Sequence, residues 1–208
     1  MRMKSLMIFL SFVMLLSFGC ATSQPKIPMD WASSQPGTQV SFRGNPVRLL
    51  GSPISVGRPL PSVEVVDAMS MKDVDLSKEK GSILLVSIVP SLDTAVCEAQ
   101  THYLGERGDR LPKSVKRVVI SRDTPFAQKR FAKEAKLTDL QYLSDYKQGD
   151  FGKSTGLLTD GLMLLARSVI IVDRAGTVRY IQVVPEMSHL PDMEKAFEKA
   201  AELAKAEM

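Results

Sequence analysis

The chain is short of the residues that carry most enzyme chemistry. Its 208 residues include two cysteines, Cys20 and Cys97, two histidines, His102 and His189, and one tryptophan, Trp31. There is no C-x-x-C, which argues against a thiol–disulfide oxidoreductase of the ordinary dithiol kind. No cofactor or metal site is read from the sequence. No block of Lys and Arg and no interleaved aromatic stripe suggests nucleic acid, so the formal net charge of +4 carries little meaning. The longest apolar run is shorter than the roughly 20 residues that cross a bilayer as a helix.

That run, residues 6–18, follows Arg2 and Lys4 and reads as the core of a secretory signal over residues 1–19. Ser17-Phe18-Gly19 then precedes Cys20. Gly before Cys at this place resembles a bacterial lipobox, in which the cysteine is lipidated and becomes the mature N-terminus. Ser17 and Phe18 depart from that pattern. The same bond would suit ordinary signal peptidase and leave a soluble periplasmic protein beginning with a free Cys20. The expectation is a periplasmic lipoprotein anchored to a membrane at Cys20. Residues 20–37, with Pro25, Pro28 and Pro36 among Ser, Thr and Gln, read as a flexible tether. Trp31 lies within it and carries no inference alone.

Residues 38–208 are enough for one domain with a proper core. Residues 40–42 and 47–50 flank Gly44-Asn45-Pro46 and predict an N-terminal β-hairpin. Strands follow at 63–66 and about 73–76. Residues 83–89 are apolar apart from Ser87, as in a strand covered on both faces. A helix is expected from Thr94 to about Gly108, a strand at 115–120, a helix at 125–135, a short strand at 141–143 and a helical turn at 150–154. Strands at 168–172 and 178–184 are joined by the turn sequence Asp173-Arg174-Ala175-Gly176. In the last helix, Met193, Phe197, Ala200 and Ala204 share a face. This α/β order fits a thioredoxin-like mixed sheet flanked by helices, although it leaves flavodoxin-like layouts open.

Cys97 is the most informative residue. It ends the run Pro90-Ser91-Leu92-Asp93-Thr94-Ala95-Val96-Cys97, directly after the buried strand. This places a thiol on the first turn of a helix, where unpaired N–H groups and the positive dipole end favour negative charge on sulfur. A lone cysteine is more often a small buried hydrophobe. The P-x3-T-x2-C spacing, however, resembles the active-site signature of peroxiredoxins, and its fuller form resembles the bacterial thiol peroxidase subfamily. Two more stretches carry that resemblance: Ile120–Phe131, with Pro-Phe-Ala-Gln and Arg-Phe at its centre, and Leu165–Asp173.

What the resemblance implies is a peroxidase that reduces hydrogen peroxide or organic hydroperoxides through a sulfenic acid on Cys97. Arg167 would be the second active-site residue, favouring the thiolate and stabilising charge on the leaving oxygen. Thr94 would align the peroxide, and Pro90 would shape the turn and shield the sulfur. Relatives commonly form homodimers. The pattern breaks at Ala132, which stands where the resolving cysteine is normal. Unless Cys20 serves as resolver, the chain therefore reads as a one-cysteine enzyme that needs an external thiol, either a thioredoxin-like protein or a small thiol. The missing resolver keeps a second reading open: a lipid-anchored redox sensor or binding protein without turnover. His102 follows Cys97 by five positions, about 140° round the helix, so it faces elsewhere. Both histidines read as structural or exposed.

Overall fold

The structure is a computed structural model and describes residues 26–206. In chain order the strands and helices are β1 (Met29–Asp30), β2 (Gln39–Phe42), β3 (Asn45–Leu50), β4 (Glu64–Asp67), β5 (Asp73–Asp75) and β6 (Ile83–Ile88). Then come α1 (Ala95–Glu106), β7 (Val115–Ser121), α2 (Pro125–Glu134), β8 (Gln141–Ser144), α3 (Asp150–Thr155) and β9 (Leu158–Thr159). The chain closes with β10 (Ser168–Val172), β11 (Val178–Val183), β12 (Leu190–Pro191) and α4 (Met193–Ala206).

Seven strands form the central sheet in the order β11-β10-β6-β7-β8-β4-β5. Strands β6, β7 and β8 run parallel, and β10, β11, β4 and β5 add antiparallel pairs. The apolar run of β6 is buried at all six residues, with side chains dividing by the period of two. Leu84, Val86 and Ile88 enter one core with Val40 and Leu49 of the β2–β3 hairpin and Phe151 of α3. Ile83 and Leu85 enter the other, with Leu104 of α1, Ala132 of α2 and Phe197 of α4. Two-sided burial explains why this strand does not alternate with polar residues. It also fixes α1 across one face, with its first turn at the carboxyl end of β6. The architecture is the thioredoxin-like mixed sheet the sequence implied.

Three boundaries differ from expectation for physical reasons. The hairpin turn is Arg43-Gly44, both at positive φ (52° and 78°), while Asn45 and Pro46 already belong to β3. A two-residue turn with two left-handed residues matches the twist of the strands it joins. The helix starts at Ala95, with Thr94 in extended conformation as its N-cap. The third difference is larger. Residues 26–37, expected as tether, are docked: β1 pairs in parallel with β12, and Ser34 bridges to Val183. Gly37 also donates to the carbonyl of Gly156 at 2.7 Å. Backbone pairing has no side-chain period over two residues, so composition alone reads such a segment as loose.

Candidate active site

The site is assembled where β6 ends. Val89 still donates to Ile120 O at 3.0 Å, and Pro90, which has no N–H to offer, ends the ladder. The turn that follows is held from below by Asp123. Its carboxylate accepts from Ser91 Oγ, from Leu92 N and from Ser121 Oγ, each at 2.7 Å. Three donors on one carboxylate fix the turn leading into α1. Thr94 Oγ1 donates to Ser91 O at 3.0 Å and does not cap the helix. Its proton is therefore committed, while its lone pairs remain able to accept from a ligand.

Cys97 occupies the first turn of α1 and is fully buried. Arg167, the residue before β10, is only 2% exposed and reaches it from the neighbouring strand. All three arms of the guanidinium are engaged. Nη2 donates to Cys97 Sγ at 3.2 Å, Nη1 to Gln100 Oε1 at 2.8 Å and Nε to Met187 O at 2.8 Å. Burial pushes the Arg167 guanidinium below its ordinary range, and the Cys97 sulfur opposes this through charge and hydrogen bond. An arginine keeps its proton under such pressure where a lysine often does not. The result is a fixed cation within hydrogen-bond reach of the only cysteine among the described residues.

Gln100, three positions after Cys97 and thus on the same helix face, is fully buried and donates to Ser87 Oγ at 2.8 Å. Ser87 is the one polar residue of the buried strand, and this bond is its reason for being there. A cavity of about 250 Å³ lies against the site, walled mainly by apolar groups and lined by Pro90, Thr94, Val96, Arg167 and Met187. Cys97 itself is not in its wall, but Arg167, which contacts the Cys97 sulfur, is.

The structure thus brings Pro90, Thr94, Cys97 and Arg167 together. It does not bring the histidines. His102 Nδ1 sits 2.7 Å from Glu106 Oε1, and His189 Nδ1 sits 3.1 Å from Asp30 Oδ1. A wider cleft of about 530 Å³ between α1 and α2 is lined by His102 and Thr94 but not by Cys97. Ala132 is fully buried on α2, in the same core as Cys97. Cys20 lies outside the described residues. Among the described residues no group of three or more His, Cys, Asp or Glu is placed to hold a metal ion.

Gln100, Ser87, Asp123 and the carbonyl of Met187 were not singled out by sequence. A glutamine three residues after the nucleophile, opposite a serine in an apolar strand, was a usable signal for the first two. A backbone carbonyl leaves none.

Comparison with known proteins agrees with this geometry. Residues 55–197, more than half of the chain, match the family model described as Redoxin. The chain is 40% identical to a thiol peroxidase of Halalkalibacterium halodurans over 161 residues, 77% of this chain and 96% of that one. It is 41% identical to a thiol peroxidase of Listeria monocytogenes over 163 residues, 78% and 98% of the two chains. Among solved structures, a peroxiredoxin-like protein from Aquifex aeolicus superposes with a TM-score of 0.75 at 34% identity, covering 82% of this chain and 99% of its own. The sensor reading without turnover gains no support from these relatives. On the matched family, the shared length and the cysteine–arginine pair at its centre, the chain belongs to the thiol peroxidases of the peroxiredoxin family and is a thiol-dependent peroxidase.

Proposed function

We propose that Cys97 carries the peroxidase reaction by a one-cysteine cycle. The Cys97 thiolate attacks one oxygen of hydrogen peroxide or an organic hydroperoxide, and the O–O bond breaks. The sulfur takes the attacked OH and becomes a sulfenic acid, while the other oxygen keeps the electron pair of the broken bond, takes up a proton from solvent and leaves as water or an alcohol. An external thiol then displaces water to form a mixed disulfide, and a second thiol releases Cys97 while the two external thiols end as a disulfide. The observation that carries this reading is the Arg167 Nη2 to Cys97 Sγ contact of 3.2 Å from a guanidinium fixed at all three arms. A donor already in place before the reaction stabilises charge moving onto the leaving oxygen without reorganising. Thr94 Oγ1, its proton spent on Ser91 O, accepts from the peroxide O–H and aligns it for in-line attack. Pro90 shapes the turn and walls the cavity.

The reductant is a thioredoxin-like protein or a small thiol, and the chain works as a homodimer, as the family resemblance suggests. Ala132 supports the need for an outside thiol, because no cysteine stands on α2. Ala132→Cys tests this. The variant is expected to form a disulfide with Cys97 after one equivalent of peroxide, which requires α2 to loosen until the two Cα atoms lie within about 7 Å. Dimedone trapping should label Cys97 strongly in the wild type and weakly in the variant, and the variant should resist oxidation to sulfinic acid. Equal labelling of both would mean that α2 does not open here.

The sequence of the leader further supports export to the periplasm and lipidation at Cys20. The protein should then partition into detergent and carry acyl mass at its N-terminus. Cys20→Ala should move it to the soluble periplasmic fraction; a wild type already soluble would end this part of the reading.

A further inference from the structure

We infer that residues 28–34, which precede the residues matched by the family model, form a strap that positions Arg167, and that Asp30 is the positioning residue within it. This rests on the role proposed above for Arg167. The orientation of that guanidinium depends on Met187 O, the acceptor for its Nε. Met187 sits in residues 184–189, between the end of β11 and the start of β12, and this stretch belongs to no strand of its own. Something must therefore hold it.

Two clamps do so. The β2–β3 hairpin grips one side. Ser41 Oγ and the amides of Arg43 and Gly44 donate to the Glu186 carboxylate at 2.9 Å each, and Met187 N donates to Ser41 O at 2.8 Å. The strap grips the other. Asp30 Oδ2 accepts from Glu186 N at 3.3 Å, and Asp30 Oδ1 lies 3.1 Å from His189 Nδ1. One carboxylate thus holds the residues on both sides of the Met187–Ser188 pair. The strap is fixed in turn. Leu190 N donates to Pro28 O at 2.8 Å, and the 2%-exposed Gln182 donates to Asp30 O at 2.7 Å and Ala32 O at 3.1 Å. Ser34 N donates to Val183 O at 2.8 Å.

Two relatives are matched over 96% and 98% of their length by only 77% and 78% of this chain, so this chain carries residues beyond the shared body. The family model matches residues 55–197, which lie after the strap. The extension has thereby become part of the support of the active-site arginine.

The test is a double-mutant cycle in the full chain. The second-order rate of Cys97 oxidation by hydrogen peroxide is measured by stopped flow for wild type, Asp30→Ala, Arg167→Ala and the double variant. Asp30→Ala should slow oxidation roughly tenfold, the scale of misplacing a reacting group by a fraction of an ångström. In the Arg167→Ala background the same change should alter the rate less than about twofold, because the group it positions is gone. Asp30→Asn, which retains an acceptor oxygen, should fall between Asp30→Ala and wild type. If Asp30→Ala fails to fold by circular dichroism, Asp30→Asn is carried through the same cycle. An equal loss in both backgrounds, or no loss in the wild type, overturns the strap. An Arg167→Ala as fast as wild type overturns the reading of Arg167 and the strap with it, whereas a normal Arg167 effect beside a silent Asp30 overturns the strap alone.

Discussion

Cys97→Ser is expected to reduce peroxide consumption to the level of protein-free buffer while leaving the fold intact. The two side chains are nearly the same size, so a fully buried position accepts the change without a significant cavity. The Arg167 Nη2 bond to Sγ survives as a bond to Oγ, because a hydroxyl accepts as a sulfur does. What is lost is the nucleophile. A serine hydroxyl has no comparable anion near neutral pH, and no second base stands at the site to take its proton, since both histidines are held elsewhere by Glu106 and Asp30. Reduced wild type should consume about one equivalent at once and continue only with an added dithiol. The variant should do neither, with an unfolding midpoint close to wild type. Undiminished consumption by Cys97→Ser would remove Cys97 from the reaction.

Which parts of this molecule could be read from sequence follows from the range of the forces involved. Residues 83–89 announce a buried strand because two-sided burial leaves a local mark, and Met193, Phe197, Ala200 and Ala204 announce a helix face for the same reason. Cys97 was legible because helix, turn and nucleophile lie within eight residues. Arg167 was legible only by resemblance: 70 residues separate it from the sulfur it touches, and nothing local distinguishes it from a salt-bridged arginine. The docking of residues 26–37 was not legible at all. Most of its bonds join its backbone to partners more than 100 residues away, such as Gln182 to Ala32, and its own composition is that of a linker. Gln100 stands between the two cases: its spacing from Cys97 and the lone serine of the apolar strand were a local signal, but its role depends on Arg167 arriving from the segment just before β10.

Arg167→Ala is the variant expected to separate chemistry from architecture most widely. Removing one preorganised charged donor from a site closed to bulk water costs on the order of 10²-fold or more in rate. Peroxide oxidation of Cys97 should therefore slow by at least that factor. Stability should fall as well, by about 1–3 kcal/mol for each buried acceptor left without a donor, and Gln100 Oε1 and Met187 O are two such acceptors. Arg167→Lys distinguishes the two effects. It restores a cation, but an ammonium cannot span Cys97, Gln100 and Met187 at once in the planar geometry of a guanidinium. It should recover part of the rate, through charge alone, and little of the lost stability. The readouts are the stopped-flow rate with hydrogen peroxide and the urea unfolding midpoint, measured on the same preparations. A variant that loses stability while keeping the wild-type rate per folded molecule would make Arg167 a structural arginine, and the geometry around Cys97 would then have to work through the helix terminus and Thr94 alone.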